Sequence, residues 1–287
     1  MSFYVPDEHV DTFPIVYSAK QPTLTQFHRA LMDKGRGVDW SFTPEQYTNQ
    51  QLAIAQSQWA QRAIAEYQST AQFSQLLYRL TLLGAPLDMI GAATRLVTDE
   101  CRHAELCANF SKIMGGGDID IAPETLSLYN EAPLMMACAK SILTACCFGE
   151  TLSVPVLRVL AEVSTDPLAK RISTVIAGDE EYHSRFGWEA LTYFLQQMNA
   201  TQKDDVQMLL PTLFRSFERS CHGSPEIFEQ LVDTALTFEE GASNLGTLPS
   251  EGYAAIFYAT VEDTLFPRFQ ALGLDPEEAW RTRYPTS

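Results

Sequence analysis

The pattern Asp-Glu-x-x-His occurs twice in the chain, at residues 99–103 and 179–183. Because the chain has 36 acidic residues but only five histidines, random placement would produce about 0.02 such segments. On an α-helix, residues three positions apart share one face, so each Glu-x-x-His pair can offer a carboxylate oxygen and an imidazole nitrogen to one metal ion. The repeated pattern therefore predicts helices at both places, each carrying half of a metal site.

The rest of the sequence also favours an all-α fold. Long blocks have apolar residues at helical spacing, and no block shows the alternation or the β-branched enrichment that is typical of strands. An N-cap at Thr43 with Pro44 and Gln46 after it predicts the start of the first long helix. Pro155 predicts a kink in the third helix between Thr151 and Pro155. The predicted helices are 44–83, 86–114, 133–164 and 166–199, followed by helical pieces at 201–221, 225–237 and 249–271, with the first 42 residues irregular and 118–133 a possible crossover.

Two further glutamates are predicted to lie level with the repeated pairs. A metal pair inside a helical bundle needs ligands from four helices at one height. Glu66 and Glu100 are 18 and 16 residues from the turn at Gly84. Glu150 and Glu180 are likewise 16 and 14 residues from the turn near Asp166. Each helical hairpin therefore offers two glutamates and one histidine.

An isolated glutamate in a helix usually faces water, so the neighbours of these two residues matter. Around Glu66, the residues at helical spacing include Trp59 and Phe73. Around Glu150 they include Cys146 and Leu157. Both glutamates are thus predicted to point into apolar surroundings, whereas His9, His28 and His222 are expected to be ordinary surface or capping residues.

This arrangement of ligands resembles the ferritin-like dinuclear iron carboxylate superfamily over roughly residues 44–199. The resemblance implies a four-helix bundle with a long crossover between its second and third helices. It implies that Glu100 and Glu180 bridge two metals, while Asp99 and Asp179 accept hydrogen bonds from the histidines of the opposite hairpin. The implied metal ligands are Glu66, Glu100, His103, Glu150, Glu180 and His183.

The resemblance implies an oxidoreductase that activates dioxygen, its co-substrate, at two iron ions and oxidises a small organic substrate with electrons from an external donor or reductase. Residues 1–43 and 200–287 would cover the bundle within a single domain, 1–287, and help to build a pocket. The ligand spacing looks closest to arylamine N-oxygenases, and fatty-aldehyde deformylating oxygenases are similar in ligand order. Those N-oxygenases carry an extra histidine ligand where this chain has Ile176, so hydroxylation or desaturation fits equally well.

One further residue bears on the chemistry. Cys107 lies seven residues, or two helical turns, after Glu100 on the same face, where related enzymes place a radical-forming tyrosine or a pocket residue. A cysteine at this position weighs against a stable-radical ribonucleotide reductase subunit. It is either a pocket residue or a small core residue, since free cysteines are often buried.

Other functions fit parts of the pattern. A ferritin-like ferroxidase would oxidise ferrous iron for storage or detoxification, and would assemble into a large shell. A manganese catalase also remains open, because these ligands do not choose between iron and manganese. A purely structural helical protein would bind no metal.

Composition narrows the expected partners and location. A formal net charge of −16 repels nucleic acid and anionic lipid surfaces. No uncharged apolar run approaches the roughly 20 residues that span a bilayer, and the N-terminus lacks a signal pattern. The six cysteines form no C-x-x-C pair and are expected to be reduced thiols. The chain is therefore predicted to be cytoplasmic, a monomer or small oligomer, with no nucleic-acid or membrane partner.

Overall fold

The computed structural model describes residues 12–16, 22–32, 37–122, 126, 133–231 and 243–284. Helices make up nearly all of the regular structure in these residues. The strands found there are β1 (Phe13–Pro14) and β2 (Asp120–Ile121), which pair antiparallel. The prediction of an all-α, ferritin-like fold is confirmed.

Contacts divide the chain into two compact units. The first comprises Met1–Gln75 and Thr94–Tyr129, and the second comprises Leu76–Ala93 and Asn130–Ser287. The helices in chain order are α1 (Pro22–Met32), α2 (Asn49–Leu83), α3 (Leu87–Ile113), α4 (Leu134–Ser141), α5 (Thr151–Val163), α6 (Pro167–Gln197), α7 (Ala200–Ser220), α8 (Pro225–Leu231), α9 (Ser250–Thr260), α10 (Phe266–Ala271) and α11 (Pro276–Arg281).

Two wider, π-helical segments join neighbouring helices. Ile142–Glu150 connects α4 to α5, and Val261–Leu265 connects α9 to α10. The predicted helix spans therefore agree closely with α3, α6 and α7, and the predicted third helix corresponds to α4 and α5 with the π-helical segment between them. The predicted crossover lies largely outside the described residues, as does His9. The arrangement as a single domain stays a prediction.

The first long helix starts later than predicted. Pro44–Gln46 forms a separate 3-10 turn, and the side chain of Thr43 makes no capping hydrogen bond. Instead, the N–H of Gln51 donates to Thr48 Oγ1 at 3.2 Å, and the N–H of Thr48 donates to Gln51 Oε1 at 2.9 Å. This capping box satisfies two backbone donors at the start of α2, which Thr43 does not do.

The N-terminal segment is more ordered than predicted. The first 42 residues were expected to be irregular, yet they contain α1. His28 Nε2 lies 3.1 Å from Glu105 Oε2 on α3, and Arg29 forms an ion pair with the same carboxylate. The expectation that His28 is an ordinary surface residue is therefore wrong. These contacts with α3, which is distant in the sequence, hold α1 in place, and no local sequence pattern indicates them.

In the first unit, α2 and α3 pack antiparallel around a dry aromatic core. The side chains of Trp59 and Phe110 are both fully buried. Their ring centroids lie 4.9 Å apart in an edge-to-face arrangement, which aromatic rings prefer. The same antiparallel register brings Glu66 on α2 opposite His103 on α3. Packing remote from these polar residues thus sets their relative height.

The turn between α2 and α3 occurs where the sequence predicted it. Gly84 has φ +70°, a left-handed conformation that glycine adopts without a steric penalty. The N–H of Ala85 donates to the carbonyl of Leu80 at 3.0 Å and so ends α2. Pro86 then precedes α3.

The second unit has its own aromatic core and an unusually close helix contact. The ring of Phe148 lies 5.0 Å from that of Phe214 and 5.4 Å from that of Phe269, measured between centroids. A Cβ added at Gly187 on α6 would lie 2.2 Å from the Cβ of Cys146. Non-bonded carbon atoms do not approach so closely, so a glycine is needed where α6 crosses the π-helical segment.

The substitution Gly187→Ala is therefore expected to lower the free energy of unfolding by about 1–3 kcal/mol, the usual cost of an overpacked core. Gly178→Ala on the same helix is the matched control, because nothing lies within 4 Å of a Cβ placed there. That control should raise stability by up to about 1 kcal/mol through helix propensity. Urea unfolding of the two variants measures both effects, and equal stabilities would contradict the close contact.

A buried ion pair links α7 to the C-terminal part of the second unit. Glu218 is fully buried and accepts hydrogen bonds from Arg283 Nε at 2.8 Å and Nη2 at 3.1 Å. The Tyr258 hydroxyl donates to the same carboxylate at 2.9 Å. Burial, followed by the hydrogen bond to Glu218, raises the pKa of Tyr258 well above its ordinary value. The carboxylate therefore has three donors, which a buried charge requires.

The six cysteines form no disulfide bond. Burial raises the pKa of Cys138 and of Cys221 to about 11. Burial also raises the pKa of Cys147 well above its ordinary value. These thiols therefore stay protonated near neutral pH and are poor nucleophiles, in agreement with their interpretation as reduced structural residues.

The helical run Leu134–Val163 is long and apolar enough to cross a membrane by length and composition. No segment able to span a membrane was expected from the sequence. Half of its most apolar window is buried inside the protein, and the core helix of a soluble protein passes the same criterion. This run also contains the buried residue Glu150. A single helix of this kind is weak evidence that the protein spans a membrane.

Candidate metal centre

The first unit brings together one carboxylate from α2 with a carboxylate and an imidazole from α3. One ligand atom from each of Glu66, Glu100 and His103 lies within 4.8 Å of the other two. His103 Nδ1 is 3.5 Å from Glu66 Oε2 and 4.0 Å from Glu100 Oε2. The spacing of three residues on α3 and the register of α2 against α3 explain this arrangement. We call these three residues the first triad.

The second unit repeats the arrangement with Glu150, Glu180 and His183. One ligand atom from each of these residues also lies within 4.8 Å of the other two. His183 Nδ1 is 2.9 Å from Glu180 Oε2, close enough for a hydrogen bond. Glu150 ends the π-helical segment, and the other two residues lie on α6. We call these residues the second triad.

Both triads are buried. The imidazoles of His103 and His183 are 0% exposed, and Glu100 and Glu180 are 1% exposed. Glu66 is the most accessible ligand, with 13% of its side chain exposed. Burying several ionisable carboxylates is costly unless cations or hydrogen bonds compensate them. A bound cation at each triad would supply that compensation.

The donor set of each triad fits a divalent transition metal. Carboxylate oxygens and imidazole nitrogens suit iron or manganese, whereas neither triad offers the thiolates that softer metals prefer. The ligand atoms are already close enough to converge on one ion. Metal ligation by these six residues nonetheless stays a prediction.

The π-helical segment sits where Glu150 enters the second triad. In it the backbone N–H of Thr151 donates to the carbonyl of Cys146, five residues earlier. The sequence predicted a kink between Thr151 and Pro155, but the irregularity begins earlier, at Ile142. Widened turns of this kind often occur at functional sites, where they change the direction of a side chain. This one ends at a predicted ligand.

Asp99 and Asp179, the predicted hydrogen-bond partners of the histidines, are both buried. Asp99 accepts hydrogen bonds from Arg95 Nε at 3.0 Å and Arg102 Nη1 at 2.7 Å. Both arginines lie on the same helix as Asp99, an arrangement that the sequence analysis did not foresee. The role of Asp99 and Asp179 in orienting the histidines stays a prediction.

Two further positions were singled out from the sequence. Cys107 is fully buried on α3, and its proposed place in a pocket stays a prediction. Ile176 is fully buried on α6, one turn before Glu180. Its side chain has no atom that can bind a metal. The extra histidine ligand of the arylamine N-oxygenases therefore has no counterpart at this position.

Each unit also contains a cavity. In the first unit, a cavity of about 580 Å³ is lined by Tyr67, Thr70 and Glu105, with His28 at its edge from α1. Thr70 is four residues after Glu66 and donates from Oγ1 to the Glu66 carbonyl at 3.1 Å. The contact of His28 with Glu105 could not be predicted from the sequence, because 77 residues separate them and neither belongs to a motif.

The fold and the two triads define a helical protein of the diiron carboxylate class. A sequence model of the family described as P-aminobenzoate N-oxygenase AurF matches residues 75–244, which is more than half of the chain. The chain therefore belongs to this family of diiron ferritin-like oxygenases, and the resemblance stated from the sequence is confirmed. Searches of curated proteins and of solved structures gave no match.

The family match contains the whole second triad together with Glu100 and His103. It begins nine residues after Glu66. The assignment of Glu66 therefore rests on its position beside His103 and on its pseudo-equivalence to Glu150, and the match to the family adds nothing to it.

Proposed function

We propose that this protein is a dioxygen-dependent dinuclear iron oxygenase that oxidises a small organic substrate with electrons from an external donor. The observation that carries the proposal is the repetition of a buried triad of two glutamates and one histidine in a chain of a diiron oxygenase family. A structural role would give no reason for burying five of these six ionisable residues and half-burying the sixth, Glu66, at the cost of their desolvation.

The two triads would together hold two metal ions. Glu66, Glu100 and His103 would hold metal in the first unit, and Glu150, Glu180 and His183 would hold metal in the second. The four carboxylates would balance the charge of two divalent ions. When bound, iron supplies the redox chemistry by which dioxygen attacks a C–H or N–H bond. The apolar residues around each triad exclude water and keep the carboxylates poised to bind cations.

Oxygen transfer to the nitrogen of an arylamine is the first reaction to test, because the family is described by an N-oxygenase of p-aminobenzoate. The isoleucine at position 176 removes one potential nitrogen ligand. Without that histidine, the site would have one nitrogen donor fewer than the arylamine N-oxygenases have. Hydroxylation or desaturation of a C–H bond is therefore the alternative reaction for the same site.

Iron is the proposed metal, and manganese would compete for the same donors. The other parts of the proposal follow from composition. We propose a cytoplasmic monomer or small oligomer, with a reductase as its protein partner and with no nucleic-acid or membrane partner. The charge of −16 favours a reductase with a basic docking surface.

The proposal is tested by titrating the full chain with ferrous iron without oxygen and then exposing it to air. We expect saturation at about two irons per chain, coupled iron centres in the Mössbauer spectrum, and oxidation of p-aminoaryl substrates when a reductant is present. A large shell with many irons per chain, measured by size-exclusion chromatography and metal analysis, would instead indicate the ferroxidase alternative. No iron binding would leave only a structural role.

A further inference from the structure

The second unit contains a cavity of about 550 Å³ that the proposed chemistry does not use. It lies beside the α5–α6 pair and is closed on its other side by residues from α9, the second π-helical segment and α10. Its lining includes Thr151 and Ser184 at the base and Arg185, Arg268 and Asp263 towards the opening. The cavity is thus a largely apolar cleft with hydroxyl groups at its buried base and charged groups towards its opening.

The base of this cavity carries two neighbouring hydroxyl groups. Trp188 Nε1 donates to Thr151 Oγ1 at 3.0 Å, and Thr151 Oγ1 lies 2.8 Å from Ser184 Oγ. The Thr151 hydroxyl has one hydrogen, for which Ser184 competes with the carbonyl of Cys146 at 3.3 Å. Either of the Thr151 and Ser184 hydroxyls can donate to the other. When Thr151 donates to Ser184, the hydroxyl of Ser184 can donate to a ligand in the cavity.

The opening of the cavity carries positive charge in a strongly acidic protein. Arg158 forms an ion pair with Glu181, which neutralises both residues. In the described part of the chain, Arg185 and Arg268 form no salt bridge, and the Arg268 guanidinium lies 5.3 Å from the centroid of the Trp188 ring. Asp263 offsets one of these two charges. One positive charge is left over, together with the many N–H donors of two guanidinium groups.

Comparison of the two units shows that this charge is particular to the second one. Glu180 and Glu100 occupy equivalent positions in the repeated motif, so Arg185 is equivalent to Glu105 and Ser184 to Ala104. Both pairs line the cavity of their own unit. Residues of α1 neutralise Glu105, whereas Arg185 forms no ion pair among the residues that the structure describes. At this position, the cavity of the second unit is therefore lined by hydrogen-bond donors. The cavity of the first unit is lined instead by a carboxylate that His28 and Arg29 neutralise.

We propose that this cavity is a binding site for an oxyanion, the carboxylate or phosphate group of a small molecule. Arg185 and Arg268 supply charged donors at the opening, and Ser184 supplies a neutral donor at the base. Guanidinium groups bind both kinds of oxyanion through paired hydrogen bonds. Ser184 follows His183 on α6, but consecutive residues of a helix point in different directions, and the lining of this cavity does not include the second triad. This site extends the proposed function but does not depend on it.

The test is isothermal titration of the full chain with two probes, inorganic phosphate and benzoate, with uncharged benzamide as the isosteric control for benzoate. Each titration is made with and without bound iron, because both anions can also coordinate iron. We expect saturable binding of at least one anion in both states, and none of benzamide. Preference for phosphate or for benzoate then identifies a phosphorylated or a carboxylic acid ligand.

Variants locate the binding. Arg185→Gln and Arg268→Gln should each weaken binding about tenfold, because each removes a charge-assisted hydrogen bond. Asp263→Asn should strengthen binding, since it removes a like charge. Arg171→Gln, on the exposed side of the same helix, should change nothing. Binding that appears only with iron, or that is equal in Arg185→Gln and Arg171→Gln, would overturn the proposal. Loss of anion binding with normal iron stoichiometry would leave the oxygenase proposal intact.

Discussion

His183→Ala is expected to lower the bound iron from about two ions per chain to about one and to reduce oxygen-dependent turnover more than about a hundredfold. The imidazole of His183 is completely buried and lies 2.9 Å from Glu180. Loss of a residue that merely orients a ligand already costs ten- to a hundredfold in comparable sites, so loss of a ligand should cost more. Metal analysis and substrate oxidation measure the two effects.

Glu189→Ala is the matched control for this prediction. Glu189 lies on the same helix as His183 and is exposed. Its removal changes the net charge of the protein but takes no donor from a triad. Iron content and turnover should therefore equal those of the unaltered protein. If His183→Ala kept its full iron content and activity, the second triad would not be a metal site.

Glu218→Ala is expected to have the largest effect on stability, lowering the free energy of unfolding by about 3–5 kcal/mol. The substitution removes the carboxylate that accepts hydrogen bonds from Arg283 and Tyr258. The guanidinium of Arg283 would then be left largely buried without a counter-charge, since its side chain is only 10% exposed. Denaturant unfolding followed by circular dichroism measures the change.

A second variant separates the loss of the ion pair from the creation of a void. Glu218→Ala combined with Arg283→Met removes both charges, so the double variant should be more stable than the sum of the single effects predicts. Glu229→Ala, at an exposed position on α8, should be close to neutral. Additive effects in the double variant would show that the charges are not coupled.

Much of the fold could be predicted because helices are indicated by residues that lie close together in the sequence. The spacing of apolar residues and the positions of Gly84 and Pro86 delimit α2 and α3, and the antiparallel register follows from the short turn between them. The proximity of Glu66 to His103 could therefore be predicted from this register alone. For the same reason the resemblance to diiron carboxylate proteins could be recognised from the spacing of residues along the chain.

Other features could not be predicted, because their causes are distant in the sequence. The start of α2 is an exception, because the sequence offers the same Thr-x-x-Gln capping pattern at Thr43 and at Thr48, and only the second forms. The helix α1 forms through His28 and its neighbour against Glu105, a contact across 77 residues. In the same way, the approach of Gly187 to Cys146 depends on how α6 crosses another helix.

The amino-acid sequence by itself determined the helical spans, the two Glu-x-x-His pairs and the class of metal chemistry, since a residue's position on a helix depends on its neighbours three and four places away. The tertiary structure decided which carboxylates are buried, where the helix widens before Glu150, and that Arg185 lines a cavity while its counterpart Glu105 is neutralised. Burial and charge pairing are properties of groups brought together by folding, so no local pattern of residues records them.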